Sequence, residues 1–260
     1  MKTCADDGQV QVQATIGLIG GMSWESSSLY YRHINEMVRD RLGALHSAKC
    51  ILFSVDFADI EAMQSAGNWE AAGEVLANAA RRLEAAGADF LVLCTNTMHK
   101  VADQITAAVS IPLLHLADAA AADIIAKGVR TVGLLGTAFT MEQAFYTDRL
   151  ISHGLIVLTP PPGDRAEIHR IIYEELCRGV ISEASRASYL HIIADLVTAG
   201  AQGIILGCTE IELLIEQKHC TIPVFPTTAI HARAAVDFAL SEKLAPPTPP
   251  QEPRNAPQDD

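Results

Sequence analysis

Short apolar runs alternate along this chain with longer amphipathic or alanine-rich stretches, the pattern of repeated strand-helix units that feed a mainly parallel sheet. The runs predict eight strands, over residues 15–20, 48–55, 89–94, 113–116, 131–135, 155–158, 203–207 and 224–225, with helices in the intervals. The pattern also repeats itself. TIGLIGG at residues 15–21 matches TVGLLGT at 131–137, GADFLVLCTN from Gly87 matches GAQGIILGCTE from Gly200, and IPLLH around Pro112 matches IPVFP around Pro223. Three landmarks in one order mark a duplicated unit, and laying cysteine on cysteine pairs Cys94 with Cys208.

The fold class that follows is α/β: two similar open lobes with mainly parallel sheets, related by a pseudo-twofold duplication. The carboxyl ends of their strands face a shared cleft, where such sheets bind ligands. A helix predicted over residues 227–240 follows the second copy and is expected to cross back onto the first. Lobe 1 is therefore expected to span 15–115 plus 224–244 and lobe 2 116–223. Residues 1–14 and the proline-rich stretch 245–260 are expected to be disordered tails.

With 260 residues, 49% of them hydrophobic and 19% charged, the chain can build one large core or two small ones. A net charge of -12, with 19 Lys and Arg scattered singly, removes nucleic acid from the expected partners. No apolar run approaches the roughly 20 residues that span a bilayer, and the first residues lack a signal-like apolar segment. No membrane partner and a cytoplasmic location are expected. Six cysteines (Cys4, Cys50, Cys94, Cys177, Cys208 and Cys220) spread over so long a chain read as free thiols rather than a disulfide framework. Without CxxC, HxxxH or HExxH spacing, no metal site is expected.

Cys94 and Cys208 each end an apolar run and are followed by Thr95 and Thr209. A lone cysteine there is ordinarily a small buried hydrophobe, but two at equivalent places in a duplicated unit point to chemistry. A thiol at a helix N-terminus has its pKa lowered. Two thiols flanking one ligand would remove a proton from one face of a carbon and return it on the other, which inverts a stereocentre without a cofactor. Asn96, Thr97 and Thr209 are candidate donors to the resulting carbanion, or ordinary helix caps. Ser23, in the turn after the first strand, is either a cap or a cleft residue, and Thr137 occupies the matching turn of the second copy. His99 and Glu210 are candidate proton relays or solvated helix residues.

The segments LVLCTNTMHK (91–100) and IILGCTEIELL (204–214) resemble the two cysteine signatures of the aspartate/glutamate racemase family. The opening IGLIGGMSWESSSLYYRHIN is similar to its aspartate and broad-specificity amino-acid racemase branch. The resemblance implies racemisation without pyridoxal phosphate or other cofactor, a small amino acid such as aspartate or glutamate as substrate, and a homodimer. It makes Cys94 and Cys208 the acid/base pair, assigns Thr95, Asn96, Thr97 and Thr209 to the α-carboxylate and amino group, and puts Met22 and Gln64 in the pocket wall. Some relatives carry Thr for one cysteine and process one enantiomer preferentially; with both cysteines present here, two-way racemisation is expected. Glu212 departs from the second signature. Arg178 falls near a position that is basic in some relatives and is the candidate partner of a second substrate carboxylate, or else a helix-end arginine. A hydantoin racemase or maleate-type isomerase, and a two-lobed sensor that binds without catalysis, are the competing readings.

Overall fold

The computed structural model describes residues 13–241. The first half runs β1 (Ile16–Gly20), α1 (Trp24–Leu42), β2 (Cys50–Ser54), α2 (Phe57–Ser65), α3 (Trp69–Ala85), β3 (Phe90–Leu93), a 3-10 turn (Thr97–Val101), α4 (Ala102–Ala107) and β4 (Leu113–Leu114). The second half runs α5 (Leu116–Ala126), β5 (Thr131–Gly136), α6 (Ala138–Glu142), α7 (Ala144–Ser152), β6 (Ile156–Leu158), α8 (Pro162–Glu174), a 3-10 turn (Leu176–Arg178), α9 (Glu183–Thr198), β7 (Gly203–Gly207), α10 (Ile211–Leu214), a further 3-10 turn (Gln217–His219) and β8 (Val224–Pro226). Helix α11 (Thr227–Ala239) closes the described chain. The sheets are ordered β2-β1-β3-β4 and β6-β5-β7-β8, one topology used twice, and every pairing is parallel. All eight predicted strands are present. Strand β4 stops two residues early because His115 becomes the cap of α5, its ring accepting from the Ala117 N–H.

Both central strands of each sheet are buried along nearly their whole length, as helices on both faces of a parallel sheet require. In lobe 1 the side chains separate by strand alternation. Ile19, Leu91 and Leu93 pack with Leu76 and Leu83 of α3. Ile16, Leu18, Phe90, Val92 and Cys94 pack on the other face with Tyr30 and Ile34 of α1 and Ala232 and Val236 of α11. Helix α1 turns one stripe inward, Tyr30, Ile34 and Val38, and is capped by Ser23, whose hydroxyl accepts from the Ser26 N–H at 3.3 Å.

Helix α11 packs against α1 in the first-lobe core, so lobe 2 is an insertion within lobe 1. Two boundaries differ from expectation. Val224–Pro226 pairs in register with β7 and belongs to the second sheet, so the return begins at Thr227 rather than at residue 224. Ala14 is buried and its N–H donates to the Ala239 carbonyl at 3.0 Å, which ties it to α11 instead of a free tail. Residues 1–12 and 245–260 of the expected tails lie outside the described residues. Among the described residues no helix is long and apolar enough to cross a membrane.

Buried imidazoles occupy the junction of the two lobes. His231 Nε2–H donates to the Leu114 carbonyl at 2.9 Å, which leaves Nδ1 to accept from the Tyr30 hydroxyl at 2.9 Å. The His99 ring lies 4.5 Å from that of His115 and 5.9 Å from that of His231, centroid to centroid. Burial holds these rings neutral, pulling His115 and His231 down to about 4 and His99 well below the ordinary range.

The turn from β1 into α1 depends on Gly21, at φ +95°, where an added Cβ would strike the Val55 backbone. Gly21→Ala combines left-handed strain with overpacking, and urea unfolding is expected to register a loss of roughly 2–4 kcal/mol. A loss below about 0.5 kcal/mol would mean the turn relaxes freely.

Candidate functional site

The carboxyl ends of both sheets meet at one cavity of about 480 Å3, its mouth included, and each lobe supplies three equivalent segments. Lobe 1 contributes Met22 and Ser23 from the turn after β1, Phe57 and Gln64 from α2, and Thr95, Asn96 and Thr97 after β3. Lobe 2 contributes Thr137 after β5, Ile172 and Tyr173 from α8 with Cys177 beyond it, and Gly207, Cys208, Thr209 and Glu210 at the end of β7. Of the residues singled out in the sequence, ten line this cavity: Met22, Ser23, Gln64, Thr95, Asn96, Thr97, Thr137, Cys208, Thr209 and Glu210. Three do not.

Cys94 is the first of the three. It is fully buried in the α1/α11 core, its Sγ 3.9 Å from the Val92 carbonyl oxygen. Strand pairing supplies the reason. Ile16 sits opposite Phe90 and Ile19 opposite Leu93 in lobe 1, while Val132 sits opposite Gly203 and Leu135 opposite Leu206 in lobe 2. Ile16 and Val132 are the same landmark of the duplication, so Phe90 corresponds to Gly203, Cys94 to Gly207 and Thr95 to Cys208. Laying cysteine on cysteine shifts the true register by one residue, and one residue in a strand moves a side chain to the opposite face. Cys94 shares the parity of Phe90 and Val92 and faces hydrocarbon, while Thr95 holds the place across the cavity from Cys208.

Arg178 is exposed and does not line the cavity. It lies between Cys177 and Gly179, at φ +74°, two residues after the buried Leu176, so the 3-10 turn sends it outward and presents Cys177 to the cavity instead. His99 is the third. Its Nδ1–H donates to the Thr95 carbonyl at 2.7 Å and its Nε2 accepts from the Leu116 N–H at 3.2 Å. With both nitrogens engaged and the ring held neutral, His99 braces the Thr95 loop against the lobe junction and has no free nitrogen to relay a proton.

Around Cys208 the polar groups form a chain across the two lobes. The thiol donates to Glu210 Oε2 at 2.9 Å, and Ser23 of the opposite lobe donates to Glu210 Oε1 at 3.1 Å. Thr209 Oγ1 lies 2.8 Å from Ser26 Oγ, which donates to the Cys94 carbonyl at 3.1 Å. Thr97 and Thr137 hydroxyls meet across the cleft at 3.2 Å. Asn96 Nδ2 donates to Thr227 Oγ1 at 3.2 Å, while its Oδ1 is buried without a partner, an acceptor that a ligand N–H would satisfy.

The expectation of acidified thiols is not met. Burial pushes Cys94 and Cys208 well up, and at Cys208 the Glu210 carboxylate pushes in the same direction. The segments after the cysteines are a 3-10 turn and the four-residue α10, too short for a macrodipole to offset desolvation. Cys208 is therefore held as a neutral thiol, hydrogen-bonded to the Glu210 carboxylate.

A model of the family described as Asp/Glu/hydantoin racemase matches residues 19–235, the segment that carries both lobes and the whole cavity. The chain belongs to that family. Among solved structures it is similar to one from Yersinia pestis assigned to the Asp/Glu racemases, with 57% identity, covering 88% of this chain and 100% of that one at a TM-score of 0.84. An aspartate racemase homologue from Pyrococcus horikoshii OT3 shares 35% identity over 87% of this chain and 99% of that one, at a TM-score of 0.78. The broad specificity amino-acid racemase RacX of Bacillus subtilis (strain 168) is 22% identical over 87% of this chain and 98% of its own length. This racemase-family chain is an enzyme, an isomerase, which removes the non-catalytic sensor from the readings.

Five lining residues of this racemase-family cavity escaped the sequence reading: Phe57, Ile172, Tyr173, Cys177 and Gly207. The duplication carried a signal for some of them. The segment after β6 stands in lobe 2 where the segment holding Gln64 stands in lobe 1, and applying the repeat to that position leads to α8.

Proposed function

We propose that the chain inverts the α-carbon of a small free amino acid by proton transfer without a cofactor, with one thiol rather than two. Cys208 works on one face and Thr95 stands on the other. The observation that carries this reading is the Cys208–Glu210 hydrogen bond at 2.9 Å in a cavity lined from both lobes. Glu210 accepts the thiol proton, the thiolate takes the α-proton, and the Thr95 hydroxyl gives its proton to the opposite face and is reprotonated by solvent. Hydroxyls of Thr97, Thr137 and Thr209 are suited to receive the α-carboxylate as charge moves into it, and the free Asn96 Oδ1 to accept from the ammonium group. Aspartate and glutamate, named by the family, and their neutral relatives are the substrate class.

An unequal pair of faces has a kinetic signature. Enantiomers have equal free energy, so kcat/KM must be the same in both directions and the asymmetry cannot appear there. It appears in exchange. When Cys208 removes the proton it is also the better acid, and once that proton has exchanged with solvent through Glu210, deuterium returns to the same face more often than to the other. In deuterated water, one enantiomer is expected to exchange its α-proton with retention at least about tenfold faster than it inverts, the ratio set by the weaker acidity of a hydroxyl. The other should exchange little ahead of inversion. Thr95→Cys is expected to bring the two ratios within a few-fold of one another. No α-deuteration from either enantiomer would end the racemase reading, and equal ratios in the native protein would end the one-thiol version.

A further inference from the structure

Besides the polar groups at the strand ends, the cavity is lined by Phe57, Ile172, Tyr173 and Cys177, a largely apolar wall whose Cys177 is exposed to solvent. The described lining contains one carboxylate, Glu210, and no lysine, arginine or histidine. We propose that Cys177 marks the side-chain end of the substrate site, and that this wall selects an amino acid with an uncharged side chain over one with a second carboxylate. The inference rests on the racemase reading and narrows its substrate class to neutral amino acids such as asparagine, glutamine and homoserine.

A dicarboxylic substrate brings two anionic groups into the cavity beside Glu210. The hydroxyls and the Asn96 side chain can serve the α-carboxylate and ammonium, but a side-chain carboxylate pointing at this wall meets an aromatic ring, an aliphatic chain, a phenol and a thiol. Removing a carboxylate from water without a cation is unfavourable, and a like charge nearby adds to the cost. Cys177 cannot supply the compensation. Cys177 is exposed on one side, and partial burial, then Glu210 and Glu25, push its pKa up to about 12, so it stays a neutral thiol. The arginines of the same region are committed elsewhere. Arg170 is held by Glu167, Glu174 and Glu175, and Arg178 points to solvent. A side-chain amide or hydroxyl, by contrast, finds the Tyr173 hydroxyl and the Cys177 thiol as neutral partners and apolar surface for its methylenes.

Matched pairs test this directly. kcat/KM for racemisation is measured for asparagine against aspartate and for glutamine against glutamate, with homoserine as a further neutral substrate. The native protein is expected to prefer the neutral member of each pair by at least about tenfold, the scale on which a site discriminates a missing partner for a polar group. Cys177→Lys, which places an ammonium at this wall on an exposed turn, is expected to shift both ratios at least tenfold toward the acid, while Cys177→Ser keeps the neutral preference. A native preference for aspartate and glutamate overturns the proposal, even if Cys177→Lys does not fold. So does a folded Cys177→Lys variant with unchanged ratios. Absence of α-proton exchange with all five amino acids would instead overturn the racemase reading beneath it.

Discussion

Cys208→Ser is expected to lower kcat by about 10²–10⁴-fold, the usual contribution of a positioned acid/base group, while Cys94→Ala leaves kcat within about threefold. The two cysteines look alike in the sequence, each closing an apolar run before a threonine, and the fold makes them opposites. Cys208 lines the cavity and donates to a carboxylate. Cys94 touches α1 and α11 and has no face on the cavity. Serine at position 208 keeps the hydrogen bond to Glu210 but offers a group far less able to become an anion, so the protein should fold and bind while failing at the chemistry. Alanine at position 94 removes one buried sulfur from a packed layer and should cost about 1 kcal/mol of stability. The measurement is α-deuterium incorporation beside urea unfolding for both variants. A folded Cys94→Ala variant that has lost exchange would refute the strand register from which Thr95 is placed opposite Cys208.

Acid is expected to loosen the lobe junction over the window from about pH 6.5 down to about pH 4. His231 is fully buried, and its pKa falls from the ordinary 6.5 to about 4. As pH drops below 6.5 the unfolded chain binds the proton while the native ring resists it. Stability is therefore whole above 6.5 and is lost as pH falls toward 4, to the extent of about 3 kcal/mol for this ring. His115 acts in the same direction over the same window, and His99 acts in that direction too. Glu212 opposes them: burial raises its carboxyl to about 7, so the native state gains relative stability as that group protonates on the way down. The measured slope is thus a difference, and His231→Gln isolates one part of it. That variant retains a donor for the Leu114 carbonyl but cannot titrate, and its unfolding free energy should fall less steeply between pH 6.5 and 4 than that of the native chain. Parallel slopes would show that protonation of His231 is not coupled to folding.

Much of this architecture was readable from the pattern of apolar runs, because buried parallel strands are continuous hydrophobic stretches and the duplication supplies each of them twice. The site was readable wherever a residue adjoined a landmark: Met22, Ser23, Thr95, Asn96, Thr97, Thr137, Cys208 and Thr209 all follow directly on strand ends. What misled was chemistry preferred over geometry. Matching cysteine to cysteine slid one strand by a residue, although the alternation of Phe90, Val92 and Cys94 already placed all three on one face. Arg178 falls near a position that is basic in some relatives, but whether a side chain at a helix end turns in or out is decided by how the turn packs on the buried Leu176, which the sequence does not display. The thiols are not acidified because burial dominates their pKa, and burial at a strand end is a property of the assembled lobes that the local sequence does not display.

The return of α11 also fixes an order of assembly. A growing chain presents residues 13–115 early, with Ile16, Leu18, Phe90 and Val92 facing a layer that still lacks Ala232, Ala235 and Val236. Lobe 2, continuous from Leu116 to Pro226, has all its strands before that layer can be covered. The half made first is therefore the half finished last, and a nascent chain that has emerged only as far as the end of β8 would hold one lobe with all its strands beside one with an open apolar seam.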